Sequence, residues 1–579
     1  MIHTKDHKTL NIFGPFPFLG PKRMKLIETS WAKLFRDHVL LELPVNKIFR
    51  NYHWLKGRPT KELYAMLGLM ILQQMHDLTD EEAIHQFAFN LEWHYALDIT
   101  SESDAESYLC PKTLWTMRRV LTEQNLYGVL FESVTDKLAK VFSVDTSRQR
   151  YDSIHIFSNM RHLGRIGLFA NTIRKFLVNL KRHERALFDV LDQELVDRYL
   201  AKQSQALFSM VKPSESIRTL ESLGKDLFFL TEHFKDHPQV TGMNSYQLLI
   251  RLFKEQCRLE RDEATQQPKV SIKSNREVPS DSLQNPSDPD AGYDGHKGKG
   301  YQMQVAETYC PEEKKKPLSL ITEVQVESAD KSDAHALIPL IEATQQRGLG
   351  PQEVLADSLY GGDDNCEKAS ELGVQIISPV IGRPQETALT LADFTLTREA
   401  TVMACPQGQI PVKTQHKKGK HTAVFALQTC ANCSRFNECP VKPGKKGYSL
   451  RYNDKAVRLA ERRAHEKTPA FRELYRFRAG IEGTMSDLDR KTGVKRLRVR
   501  GVDAVSFCAT LKAAGLNLFR AAAFKNREDR EKRAVEKRNL GLFDLIYVFK
   551  ERFSALYADL KNLGFYFNTN NLLCVKAFV

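Results

Sequence analysis

The chain of 579 residues is too long for one ordinary domain, so two to four packed units are expected. Lys and Arg outnumber Asp and Glu by 85 to 71, a formal surplus of +14 that favours a polyanionic partner over an acidic or neutral one. No apolar run reaches the roughly 18 to 20 residues that span a bilayer, the opening MIHTKDHKTLNIFG lacks a signal-peptide core, and ten cysteines are too few for a disulfide scaffold; a cytoplasmic protein with no membrane partner is the expectation.

The first 125 residues read as helical. Residues 60–76, TKELYAMLGLMILQQMH, carry apolar positions at helical spacing, and Thr79 with Glu82 forms a capping box that opens a second helix, DEEAIHQFAFNLEWHY. A third helix starts after Pro111 and carries Arg118 and Arg119. Three short helices with a basic third member fit either a helix-turn-helix unit on DNA or a helical cap on the next domain.

At residues 148–160, RQRYDSIHIFSNM, the pattern changes to a strand: Tyr151, Ser153 and His155 alternate with Asp152, Ile154 and Ile156. Asp is a poor strand former, so Asp152 either faces water at an edge or has a cation, metal or backbone donor as partner. His155 falls on the opposite face and reads as structural. Residues 161–265 return to helix, with RIGLFANTIRKFLVNLKRH as the clearest amphipathic piece, and read as an insertion.

Residues 277–301 are dense in Pro, Gly, Ser and Asp and predict a long loop, in which Asp288, Asp290 and Asp294 are alternative carboxylates and Lys297 and Lys299 are candidate DNA contacts. YQMQVAETY (301–309) and LSLITEVQVES (318–328) read as a hairpin joined by CPEEKKKP. A helix over DAHALIPLIEATQQRG then precedes EVLADSLYGG (353–362), a short buried strand that delivers Asp357 at its C-terminal end. The helix NCEKASELG and strand VQIISPVI complete an α/β alternation.

Cys405, Cys430, Cys433 and Cys439 have the spacing C-x24-C-x2-C-x5-C in a Gly- and Lys-rich stretch of short strands, which suits either one structural Zn²⁺ or four free thiols. Farther on, Tyr475, Arg478, Glu482, Met485 or Ser486, and Asp489 recur at steps of three and four, placing them on one face of a helix that Gly493 ends. Between Arg490 and Arg500 there are six Lys or Arg in eleven residues, among them Lys495, Arg496, Arg498 and Arg500. Asp152, Asp357 and Glu482 thus form a three-carboxylate set of hard oxygen ligands, suited to two Mg²⁺ or Mn²⁺ ions acting on a phosphate. Loop carboxylates hold ligands less firmly than strand ones, which favours Asp152 over Asp288, Asp290 and Asp294.

The segments YDSIHIFSNM, DPDAGYDGHKGKGYQMQVAET, ADSLYGG and the Y-x2-R-x3-E of YRFRAGIEGTM resemble the blocks of bacterial insertion-sequence transposases of the DDE type, and GRPTKELYAMLGLMILQQMHDLTDEEA is similar to the helical domain that begins many of them. The resemblance spans about residues 40–520 and implies an RNase H-like catalytic core with Asp152, Asp357 and Glu482 as the triad and Tyr475 and Arg478 as companions. A related pattern places Lys seven residues after the Glu. Here that position is Asp489, with Arg490 or Lys491 as substitutes. The expected division is a helical N-terminal DNA-binding domain (1–125), a first core segment (146–162), a helical insertion (163–276), catalytic core (277–395), a Cys-containing β-rich insertion (396–450), a core helix with basic segment (451–525) and a C-terminal extension (526–579) whose end, 541–579, carries no motif. The function implied is cutting and joining of double-stranded DNA at element ends by a homodimer in the bacterial nucleoid. A nuclease without strand joining and an inactive DNA-binding repressor are the alternatives.

Overall fold

The computed structural model describes residues 1–8, 16, 18–101, 103–202, 208, 210–261, 268–311, 317–382, 388–397 and 399–562. Its centre is a mixed sheet built from β1 (Arg148–Phe157), β4 (Gly292–Asp294), β5 (Gly298–Thr308), β6 (Ile321–Ser328), β7 (Glu353–Leu355) and β8 (Gln375–Ile377). A separate hairpin, β2 (Cys257–Arg261) with β3 (Pro268–Ile272), lies between β1 and β4 in the chain. Across the sheet the order is β6-β5-β1-β7-β8, with β4 paired to the first residues of β5. The β6, β5 and β1 strands run antiparallel as neighbours, whereas β7 and β8 continue parallel to β1. The parallel half needs crossovers, and helices Leu337–Gln346 and Asp363–Glu371 supply them.

Strand β1 alternates as its sequence predicts. Tyr151 is buried on one face with Leu337 and Ile341, while Ile154 and Ile156 on the other join Met303 and Val305. The β5–β6 pairing realises the expected hairpin, whose connection at residues 312–316 lies outside the described residues. The expected 277–301 loop is less irregular than its composition implies, because Gly292–Asp294 forms β4.

Helix Leu63–Met75 is apolar all round, and twelve of its thirteen residues are buried, as such a helix requires. The Thr79–Glu82 capping box forms, but Asn90 accepts from the amides of Glu92 and Trp93 and divides the expected second helix into Asp80–Phe89 and Leu91–Leu97. Helices Pro111–Glu123 and Leu126–Val141 follow. These helices do not form a separate domain: Leu67, Met70 and Leu121 share one hydrophobic core with Ile154, Met303, Leu488 and Leu516. The boundary expected at 125 is therefore absent, and the cap reading describes the packing.

The insertion has its own core, with Phe176, Leu227 and Leu249 drawn from helices Arg165–His183, Ser216–His233 and Asn244–Gln256, and Phe234 from the cap of the second. It is not wholly helical, since the β2–β3 hairpin closes it. The Cys-bearing insertion is β-rich as expected: β9 (Thr395–Leu396) pairs with β10 (Val402–Ala404), and β11 (Lys413–Lys417), β12 (Lys420–Phe425), β13 (Lys442–Gly444) and β14 (Gly447–Asn453) form a sheet of order β11-β12-β14-β13.

At the C-terminal end, helix Val502–Asn562 is continuous over 61 residues, so the expected boundary at 525 falls inside one element. Residues 563–579 of the motif-free end lie outside the described residues. Part of this helix, within Val502–Val535, is long and apolar enough to cross a membrane by length and composition, contrary to the run-length reading above. In the fold it is a core helix, 72% buried over that stretch.

Candidate active site

Asp152 stands mid-strand in β1 and Asp357 two residues beyond the end of β7. Their strands pair in parallel with Arg148 opposite Glu353, Gln149 opposite Val354 and Arg150 opposite Leu355. Continued by two residues, that register would bring Asp357 opposite Asp152, and the two carboxylates are close enough for the charge of one to act on the other. Burial pushes the Asp152 carboxyl above its ordinary range; Arg478 opposes this, and the charges of Asp357 and Asp333 add to it. The Asp357 carboxylate accepts from the amide of Leu359 at 2.8 Å, which fixes the turn at the strand's end.

Glu482 reaches this place from helix Gly480–Thr492, where it lies in the first turn. The Arg478 guanidinium joins the two elements: Nη2 donates to Asp152 Oδ2 at 2.8 Å, and Nη1 is 3.8 Å from Glu482 Oε1. Glu482 keeps 71% of its side chain exposed, so it faces an open side of the site. The Tyr475 hydroxyl is pushed up by burial, with Arg478 opposing and Asp357 and Asp152 contributing, which puts all four groups within electrostatic reach of one another.

The Tyr475-to-Glu482 stretch is not one helix, as its spacing suggests. An α-helix ends at Tyr475, a 3₁₀ turn spans Arg476–Ala479, and a new α-helix begins at Gly480. The cause is Arg150 of β1, whose Nη1 donates to the Phe477 carbonyl at 2.8 Å. A Cβ at position 480 would stand 2.0 Å from that same nitrogen, so only glycine admits the approach. Gly493 ends the helix in the left-handed region, φ 65°, as its position predicts.

Sequence reasoning missed the group that ties these elements together. Glu307 of β5, fully buried, accepts from Arg150 Nε at 2.7 Å, from Arg520 Nη1 at 2.6 Å and from Thr484 Oγ1. It thereby links β1, the Glu482 helix and the long C-terminal helix. Its partners lie 157, 213 and 177 residues away along the chain, so no local spacing signals it.

The alternative carboxylates are occupied elsewhere. Asp288 accepts from Tyr301, Ser158 and the Gly501 amide, Asp290 accepts from the Val502 amide at the start of the long helix, and Asp294 closes the β4–β5 turn through the amides of His296 and Lys297. His155 is buried on the face away from Asp152, edge-on to Phe157, and burial lowers its pKa, as a structural histidine requires.

Several expected DNA contacts are engaged within the fold. Arg118, expected to be free, donates to Asp80 and Gln73, whereas Arg119 is exposed. Lys299 turns inward to the carbonyls of Leu163 and Gln284, and Lys297 is exposed. The basic run is not free of acids: Asp77 of the N-terminal region binds Arg498 at 3.0 Å and Asp489 lies 3.8 Å from Lys495. Arg496 stacks over Phe157 and Arg500 donates to Asn159 at 2.9 Å, so this segment lines the end of β1 with both guanidinium groups at the surface. Of the substitutes for the missing lysine, Arg490 pairs with Asp487 and Lys491 lies over Phe519.

Cys405, Cys430, Cys433 and Cys439 line one cavity of about 30 Å³. Burial and the neighbouring thiols push Cys430 and Cys439 up, and the Gln409 amide points at Cys405 Sγ from 3.4 Å. Among the described residues the tightest groups of possible metal ligands are others: His416, His421 and Asp454, and Asp363, Asp364 and Glu367.

Residues 404–522 match the transposase DDE domain family, and residues 32–120 match the DUF772 transposase domain family. No curated protein and no solved structure matches the chain at significance. The first match takes in the four cysteines, the Glu482 helix and the basic segment, and the second takes in the helices packed on the central sheet. Two segments that match transposase families, in this order and flanking the strands that carry Asp152 and Asp357, support an insertion-sequence transposase of the DDE type.

Proposed function

We propose that this transposase cuts and joins double-stranded DNA at the ends of its insertion sequence, using an RNase H-like core. One observation carries the reading: Arg478 spans Asp152 and Glu482, and the charge of Asp357, two residues past the neighbouring parallel strand, acts on Asp152. The strand order β6-β5-β1-β7-β8 supports it. The carboxylates fit hard divalent cations, because Asp152 is half-buried beside a second carboxylate whose charge opposes its ionisation. Asp152, Asp357 and Glu482 would hold two Mg²⁺ or Mn²⁺ ions, which when bound would supply Lewis-acid stabilisation of the attacking and leaving oxygens. Arg478 offers the scissile phosphate a fixed, always charged donor, and the Tyr475 ring, stacked on Phe471, braces the turn that carries it. The four cysteines would hold one structural Zn²⁺. We place the protein in the bacterial cytoplasm, acting as a homodimer on nucleoid DNA.

Asp152→Asn, Asp357→Asn and Glu482→Gln should each lower cleavage of the DNA flanking the element by about 10²- to 10³-fold or more in Mg²⁺, with duplex binding nearly unchanged. Cleavage that survives in Asp152→Asn sinks the assignment of the first carboxylate. Strand joining separates a transposase from a nuclease, and wild-type protein that binds ends without cutting them leaves the repressor reading.

A further inference from the structure

The Cys-bearing insertion holds a disproportionate share of the chain's positive charge. From Val402 to Asn453 the sequence has nine Lys or Arg and one acidic residue, Glu438, against a surplus of +14 for all 579 residues. Glu438 is matched by Arg435 at 2.8 Å. Eight cations therefore remain without an acid inside the segment.

The strand register gathers five of them on one face. In β11 and β12, Lys413 lies opposite Val424, Gln415 opposite Thr422 and Lys417 opposite Lys420. The β12–β14 pairing sets Lys420, Thr422 and Val424 opposite Asn453, Arg451 and Ser449, and β13 adds Lys442 opposite Ser449. Residues directly opposite share a face. Lys413, Lys417, Lys420, Arg451 and Lys442 thus occupy the solvent side, all exposed, while Ala423, Phe425 and Leu450 fill the other. Lys418, Lys445 and Lys446 extend the charge at the two hairpin turns. None of these eight side chains has an ion-pair partner among the described residues.

Folding does not account for this pattern. Lysines on an edge strand discourage strand addition, which covers Lys413 and Lys417 on β11. Lys420 and Arg451 lie on the inner strands β12 and β14, where that function is absent. Like charges directly opposite, as at Lys417 and Lys420, cost stability, and a polyanion laid across them would relieve the repulsion. The face has no aromatic residue: its other members are Gln415, Thr422, Val424, Ser449 and Asn453. Stacking platforms for unpaired bases need aromatics, so the chemistry suits phosphates and not bases. Four strands of up to about six paired residues span roughly 14 by 20 Å, enough to follow about three phosphates of one strand.

Given that the chain is a transposase, we propose that the solvent face of the β11-β12-β14-β13 sheet is a sequence-independent clamp for the phosphate backbone of duplex DNA, separate from the carboxylate site. The test uses the full chain, 30-base-pair duplexes of element-end and unrelated sequence, a single strand of the same length, and a salt series. K413Q/K417Q/K420Q should weaken binding to both duplexes equally and reduce the slope of log K against log salt by about 0.9 for each phosphate that is no longer neutralised. K413R/K417R/K420R should retain the wild-type slope, which separates charge from shape. The melting temperature of the Gln variant should equal or exceed wild type. An unchanged slope in the Gln variant overturns the clamp, as does a weakening confined to single-stranded DNA. The functional reading fails by a different result, wild-type protein that cuts no element end in Mg²⁺ while the slopes differ as expected.

Discussion

His7 illustrates how a single residue fixes the start of this chain. Its ring is almost fully buried, with Nδ1 at 2.7 Å from Asp98 Oδ2 and Nε2 at 3.5 Å from Glu62 Oε1. Burial opposes the charged form, but the two carboxylates outweigh it and raise the pKa from 6.5 to about 9. A histidine whose folded pKa exceeds its unfolded value stabilises fully below the unfolded pKa, and the contribution is lost as pH rises through the folded one. The shift corresponds to at most about 3 kcal/mol, less whatever solvent screening removes. Stability should therefore fall between pH 6.5 and about 9, and His7→Gln should be less stable than wild type at pH 6 and converge on it near pH 10, measured by denaturant melts; a pH-independent difference would remove the ionic account. Nothing in MIHTKDHK announces this role, since Asp98 is 91 residues away. Asp152, Asp357 and Glu482 stand out as candidates in the sequence because each breaks or ends a local pattern: an acid inside a β-branched run, an acid before a Gly pair, an acid on a helix leading into cations. Arg118 and Lys299 misled for the complementary reason, as exposure of a long side chain is decided by distant partners.

Between elements, the fold depends on one buried carboxylate. Glu307 joins β5 to Arg150 of β1, to Thr484 on the Glu482 helix and to Arg520 on the long helix. Removing one member of a buried ionic group leaves the others desolvated and unpaired, at a cost of about 3–5 kcal/mol. Glu307→Ala should cost that much in chemical denaturation and lower cleavage beyond what lost folded protein explains, because Arg150 also holds the Phe477 turn that positions Arg478. The Cys-bearing sheet shows the opposite economy. Among the described residues its fully buried apolar core is Phe394, Val402, Ala423, Phe425 and Leu450, too small to order four strands without a staple. A Zn²⁺ on the four thiols would supply that staple. Purified, reduced protein should contain about one zinc per chain. A strong chelator should then expose residues 396–453 to protease while the central sheet stays resistant. Protein that is free of zinc and equally protease-resistant would leave the cysteines as packed thiols. The β-rich character of this segment was readable from its short apolar alternations, whereas the 3₁₀ break before Gly480 was not, because its cause is Arg150, 330 positions earlier.

Across the whole molecule, the long C-terminal helix serves two environments in turn. Its first part is buried between the N-terminal helices and the sheet, and at Asn526 Nδ2 donates to the Thr29 carbonyl at 2.6 Å. Beyond it the helix continues to Asn562, roughly 50 Å at 1.5 Å per residue. Val535, Phe549, Phe553 and Leu556 are exposed by 54%, 68%, 49% and 58% along this stretch. Positions 535, 549 and 556 are separated by multiples of seven, and 553 follows 549 by four, which is the a/d spacing of a coiled coil. The sequence keeps the same repeat at Leu542, Ile546 and Leu560. Leaving Val535, Phe549, Phe553 and Leu556 in water is unfavourable, and a second copy of the same helix would bury them. The homodimer expected of the transposase should therefore form without DNA, and a chain ending at Arg527 should be monomeric yet retain its far-UV spectrum per residue of core. Phe549→Glu and Phe553→Glu should each weaken dimerisation by about 30-fold or more, the loss of an interface anchor worth about 2 kcal/mol. Light scattering across a dilution series decides it: equal masses for the full and shortened chains at every concentration would mean that the projecting helix does not join two copies.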